Sequence, residues 1–121
     1  MKRLILVLIL GMSATHVVAQ TCDEMIEYVK NNAYGSTFYS FNSEAITKVT
    51  FYQLYIDYES YYFAIVCFKQ KYSYTCNEYI YQVASDTKLN YSMNYLQSAG
   101  EAFWDFIQPY SGVLGCSPSF E

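Results

Sequence analysis

Residues 61–76, YYFAIVCFKQKYSYTC, decide the fold. The run 61–69 is the most apolar stretch after residue 20, β-branched and aromatic in make-up, and it reads as a central strand. Residues 71–76 read as its antiparallel partner. A two-residue turn at Lys71 and Tyr72 would pair Gln70 with Ser73, Lys69 with Tyr74, Phe68 with Thr75 and Cys67 with Cys76. That register sets the two cysteines directly opposite in a non-hydrogen-bonded pair, with α-carbons about 4.5 Å apart, near the short end of disulfide geometry. Lys-Tyr suits a primed turn poorly, since Gly or Asn is wanted there, so a looser turn is the alternative.

Moving outward, residues 45–52 (AITKVTFY) form a second strand, with Ile46 and Lys48 on one face and Ala45, Thr47, Val49 and Phe51 on the other. Residues 53–60 supply a longer polar turn. Residues 78–83 (EYIYQV) either continue the partner strand past a bulge or form another. Upstream, Thr21 and Glu24 fit a capping box. Cys22, Met25, Ile26 and Val29 then give an amphipathic helix over 22–31, stopped by Asn31, Asn32 and Gly35. Downstream, Asp86 caps a helix reaching Leu96, with Leu89, Met93 and Leu96 as its inward stripe and Tyr91 and Tyr95 flanking it. Ser98-Ala99-Gly100 interrupts, Gly100 reading as a helix end with positive φ. A helix over 101–108 turns Phe103, Phe106 and Ile107 inward and leaves Trp104 at the edge, either packed on the sheet or as a contact residue. Pro109 ends it, and 110–121 reads as coil held by Cys116. The class is α+β: a small antiparallel β-meander of three to four strands, with an N-terminal helix and C-terminal helices packed on one face.

Residues 1–19 read as a signal peptide. Lys2 and Arg3 precede the apolar run 4–11 (LILVLILG), and Val17 and Ala19 suit a signal peptidase. The run is shorter than the roughly 20 residues a span needs, so no integral membrane segment is expected after cleavage. A retained anchor is the alternative; a lipoprotein signal would need Cys22 at the cut, three residues earlier. The single domain is then 20–121, secreted or periplasmic. It carries five Lys and no Arg against eleven acidic residues, a formal charge of −6, and His16 departs with the leader. Such a balance opposes binding to nucleic acid and to anionic lipid. Cys22, Cys67, Cys76 and Cys116 make an even count in a small exported chain, read as two disulfides with three possible pairings. Hairpin geometry favours Cys67–Cys76, leaving Cys22–Cys116 to tie the ends. Their spacing lacks the close pairs of a zinc site, and no cofactor is indicated.

Ser43, Ile46, the strand ending at Phe68, Tyr72-Ser73-Tyr74, Val83, Ser98-Ala99-Gly100, Phe103-Trp104 and Ile107 together resemble the KTSC domain. That family is named after a lysyl-tRNA synthetase C-terminal segment. The match spans residues 43–110 and is strongest in SAGEAFWDFI. Tyr79-Ile80-Tyr81 could take the place of Tyr72 and Tyr74. Departures are Lys69-Gln70-Lys71 where the family has a hairpin glycine, and the missing proline before the helix. The resemblance implies a three-stranded meander followed by helices, and it gives Tyr72, Tyr74, Ser98, Gly100, Phe103, Trp104 and Ile107 a structural or contact role. It implies no agreed activity.

The missing residue types narrow the chemistry. Without His there is no Ser-His-Asp or Cys-His arrangement, without Arg no bidentate anion clamp, and oxidised cysteines are not nucleophiles. Asp57 and Glu59 are the nearest approach to a carboxylate pair for glycosidic cleavage, though alternate acids in an exposed turn are usually there for solvation. A lysine beside a serine, at Lys48 or Lys88, is weaker still. Asn90-Tyr91-Ser92 formally matches a glycosylation sequon. Fifteen Tyr, eight Phe and one Trp are more rings than one small core can bury, which points to an aromatic surface that binds protein or glycan. The expected function is therefore an exported, non-catalytic domain binding protein, glycan or envelope material. The alternatives are a secreted inhibitor or effector, marked by a protruding disulfide-clamped hairpin, and an enzyme using carboxylates, marked by a cleft with convergent acids.

Overall fold

The computed structural model describes residues 21–70 and 75–120. The leader expected over 1–19 lies outside them, as do Tyr72, Tyr74 and the two-residue turn expected at 71–72. In chain order the elements are α1 (Cys22–Asn32), β1 (Gly35–Tyr39), β2 (Ile46–Ile56), β3 (Glu59–Lys69), β4 (Cys76–Val83), α2 (Thr87–Asn94), α3 (Ala99–Phe106), a 3₁₀ turn (Gln108–Tyr110) and α4 (Ser111–Leu114). The strands form one antiparallel meander in the order β1-β2-β3-β4. The fold is α+β, an N-terminal helix followed by the meander and then C-terminal helices that pack together.

Each sheet face buries its own cluster because β3 is apolar at almost every position and so faces two ways. On one face Val49, Phe51, Ala64, Val66 and Tyr81 meet Tyr91 of α2 and Ala99, Ala102 and Phe103 of α3. On the other, Leu54, Phe63, Ile65 and Ile80 meet Ile26 and Val29 of α1 and Cys116 of the tail. Burying a side chain such as Ile26 or Val29 stabilises by about 1.5–3 kcal/mol. The expected capping box opens α1: Thr21 Oγ1 accepts from the Glu24 amide at 3.1 Å, and Glu24 Oε1 from the Thr21 amide at 2.9 Å. A Lys30–Glu78 ion pair at 2.7 Å ties α1 to β4.

The β2–β3 connection is far shorter than the turn expected over 53–60. Asp57 and Tyr58, at φ 51° and 69°, make a two-residue hairpin turn of the primed kind that matches strand twist. Gln53 to Ile56 remain in β2 because Leu54 and Ile56 pack toward α1. A bulge between Ile46 and Lys48 corrects the expected faces: the extra residue turns Ile46 to the same side as Val49 and Phe51.

The β3–β4 register also differs. Lys69 faces Cys76 and Cys67 faces Glu78, two residues away from the direct opposition of the cysteines expected from a tight turn. The strands are joined over 70–75, where the Gln70 amide reaches the Thr75 carbonyl at 3.4 Å. Residues 76–83 form one strand. Cys67 and Cys76 are still bonded, across the diagonal, with α-carbons 5.4 Å apart, and Cys22 is bonded to Cys116 at 5.7 Å.

Strand β1 was not expected from the sequence. Gly35 starts it, opposite Tyr52, and no side chain fits there: a β-carbon would sit 2.4 Å from the Thr50 methyl and 2.7 Å from the Tyr52 ring. Its Phe38 explains the largest correction, in α2. Leu89, Met93 and Leu96 are 60 %, 68 % and 82 % exposed, whereas Tyr91 is fully buried. The inward stripe is therefore Thr87, Tyr91 and Tyr95, because Phe38 and Phe51 offer those rings edge-to-face and tilted partners at 5.4–6.4 Å. Gly100 lies inside the first turn of α3 rather than at a positive-φ helix end. The tail is partly helical where coil was expected, and α4 ends at Gly115 with φ 71°.

Candidate binding surface

A cleft of about 400 Å³ lies between the β1–β2 loop and the α2–α3 junction. Residues 39–45 form one wall. Ser43 shapes it: its hydroxyl accepts from the Ala45 and Ile46 amides at 3.3 and 3.0 Å, and its carbonyl accepts from the Lys69 ammonium. Residues 95–100 form the other wall. Ser98 caps α3 there by accepting from the Glu101 amide at 3.1 Å, and Gly100 contributes an open patch with nothing within 4 Å of where a β-carbon would be.

The rim is apolar and solvent-facing. Phe41 is 87 % exposed and stacks on Tyr39 with centroids 5.9 Å apart and planes at 12°, while Leu96 projects from the opposite wall. The Lys48 ammonium lies 5.9 Å over the other ring of that pair, Tyr39, a cation–π geometry that steadies it. At the base Ser40 adjoins the buried Tyr91, and among the described residues neither hydroxyl has a partner at hydrogen-bond distance and angle. Burial pushes the Tyr91 phenol up to about 12; the nearby Ser40 hydroxyl draws it partly back and Tyr95 adds to the rise. Burial likewise raises Tyr81, against the pull of its hydrogen bond to Ser117, and Tyr52, against the pull of Lys30.

A second aromatic group sits on α3. Trp104, 52 % exposed, packs on Phe120 with centroids 5.0 Å apart, and Phe120 in turn meets Phe103 and Phe68. Trp104 is thus half-covered by the C-terminal tail. Of the residues singled out from the sequence, Ser98 and Gly100 come together in the cleft, Phe103 and Ile107 are buried in the core, and Trp104 belongs to the separate patch. Sequence reasoning missed Tyr39 and Phe41, and it turned Leu96 inward where the structure exposes it. The available signal was Phe41 itself, a large ring between Ser40 and Asn42 in a polar loop.

Asp57 and Glu59 sit at the hairpin tip, where Glu59 accepts from the Tyr61 hydroxyl at 3.1 Å, and only Glu44 brings a carboxylate to the cleft. The Lys88 ammonium donates to Ser36 Oγ at 3.1 Å on the exposed surface, tethering α2 to β1. Among the described residues no three His, Cys, Asp or Glu converge as a metal site, and no helix is long and apolar enough to cross a membrane. No family model, curated protein or solved structure matches the chain.

Proposed function

We propose that this is an exported, non-catalytic domain that binds a protein partner through the cleft between the β1–β2 loop and the α2–α3 junction. The observation that carries this reading is the rim: Phe41 and Leu96, 87 % and 82 % exposed, face solvent from two well-anchored walls. Exposed rings and aliphatic groups on a rigid frame are the usual anchors of protein recognition. A protein is favoured over a glycan because Leu96, just past the end of α2 and beside that helix's exposed Met93 and Leu89, offers a sugar neither a flat ring nor a hydrogen bond. Two disulfides support an oxidising compartment, secreted or periplasmic, in keeping with the leader read over 1–19. The relation to KTSC domains over 43–110 is part of the proposal, supported by the order of strands followed by helices. A secreted inhibitor is the second reading, favoured by the Cys67–Cys76 clamp on the β3–β4 connection.

The test is site-specific photo-crosslinking in the source organism's medium or envelope fraction. A benzophenone at position 96 should give a discrete adduct, suppressed by Phe41→Ser, while the same group at exposed Tyr28 on α1 should give none. Equal labelling from both positions, or no adduct at 96, would refute the assignment.

A further inference from the structure

The two edges of the sheet are treated differently. The β4 edge is covered by α4 and the 3₁₀ turn, the usual protection against unwanted strand pairing. The β1 edge has no such cover: β2 is the only element packed extensively on it among the described residues. Its own residues, 33–42 (AYGSTFYSFN), carry no charge, and the two ammonium groups nearby are held by Ser36 Oγ (Lys88) and the Tyr39 ring (Lys48).

The register states which backbone groups this edge presents. The Ser40 amide donates to the Thr47 carbonyl at 2.9 Å. Antiparallel pairs alternate between bonded and non-bonded. Ser36 and Phe38, in phase with Ser40, therefore bond to β2, whereas Gly35, Thr37 and Tyr39 point their N–H and C=O groups away from the sheet. No hydrogen bond among the described residues reaches these outward groups.

We infer that β1 pairs with β1 of a second copy, joining two meanders into one continuous sheet across a two-fold axis at Thr37. Three features fit a second copy. An antiparallel register centred on Thr37 sets each Gly35 opposite the other copy's Tyr39, so every outward N–H and C=O meets its counterpart. The same register brings Tyr34, fully exposed, beside the other copy's Ser40 and Phe41, giving partners to two of the most exposed rings on the surface. Covering Tyr34, Tyr39 and Phe41 in both copies, with the strand edges, buries on the order of 1,000 Å², the lower limit for a stable interface. The absence of charge in 33–42 spares the contact the repulsion that the chain's net negative charge imposes elsewhere. Because Tyr39 and Phe41 also belong to the rim of the cleft, the dimer covers part of that rim; the inference stands apart from the binding role, since the adduct at position 96 reads the cleft whereas the mass of the purified protein reads the strand edge.

Sedimentation equilibrium of the mature oxidised protein at about 100 μM tests the inference. The wild type should have twice the monomer mass. Thr37→Pro removes an outward N–H without touching the β1–β2 ladder, a substitution edge strands tolerate; it should weaken dimerisation at least 100-fold with an unchanged circular dichroism spectrum. Thr37→Val loses the same side-chain hydrogen bond to Thr50 but keeps the N–H and should remain dimeric. Should Thr37→Pro fail to fold, Thr37→Lys decides, because it sets two ammonium groups opposite each other at the axis and should give a folded monomer. A monomeric wild type overturns the inference. So does a dimer that survives Thr37→Lys.

Discussion

Replacing Tyr91 by Phe should stabilise the protein. Tyr91 is fully buried, and among the described residues its hydroxyl has no partner at hydrogen-bond distance and angle, only the pull of the neighbouring Ser40 hydroxyl. A buried hydroxyl left unpaired costs about 1–3 kcal/mol. Phenylalanine keeps the ring among Phe38, Phe51 and Tyr95, and the small void left by one oxygen takes back part of the gain. The net expectation is about 1 kcal/mol at pH 7, which in a domain of this size is about 4–8 °C in Tm. The alkaline limb gives a second, independent readout. Unfolded tyrosine ionises near 10, whereas folded Tyr91 holds its proton to about 12. Between those values the unfolded chain releases a proton that the folded chain keeps, so stability is complete below about pH 10 and falls as pH rises toward 12. The loss approaches about 2–3 kcal/mol, and Tyr91→Phe abolishes it. Urea denaturation followed by circular dichroism from pH 7 to 12 measures both effects. A variant less stable at pH 7, or a gap from wild type that stays constant between pH 9 and 12, would refute the reasoning.

Four further outcomes are expected. Removing the Cys22–Cys116 bond with a double alanine substitution should lower the unfolding free energy in urea by about 4–5 kcal/mol, because the bond closes nearly the whole chain. Replacing Leu89, Met93 and Leu96 together by serine should change stability by less than about 0.5 kcal/mol per site, read by the same melts; an inward stripe would lose several times that. Asp57→Ala with Glu59→Ala should leave the cross-linked adduct at position 96 intact, since neither residue lines the cleft. In filter binding at physiological salt the mature protein should show no affinity for DNA or RNA stronger than about 1 μM.

Local chemistry made some elements legible. The start of α1 depends on two side chains three residues apart, Thr21 and Glu24, and the cap they imply is the one that forms. The cysteine pairing was legible because proximity in a hairpin survives an error in register: Cys76 slid two residues along β3 and still reached Cys67. The illegible parts share one cause. In α2 two stripes, Leu89-Met93-Leu96 and Thr87-Tyr91-Tyr95, have equally good helical spacing. What decides between them is Phe38, on a strand of five residues too short and polar to stand out. The cleft was hidden for the same reason, since one wall is the loop leaving that strand. Ser98 and Gly100 could be named but their partners across the gap could not. The aromatic excess announced an exposed surface without saying which rings would form it.

The Cys22–Cys116 bond has a mechanical consequence. The bonded residues are 94 apart in sequence, so a pull applied at the two ends of the chain passes through the sulfur bridge and bypasses the sheet. The strands then bear almost none of the tension, and about 320 Å of extended chain stays locked until the bridge is reduced. Stretched between two attachments, the oxidised domain acts as a short inextensible link, and a reducing agent turns it into a long, compliant tether.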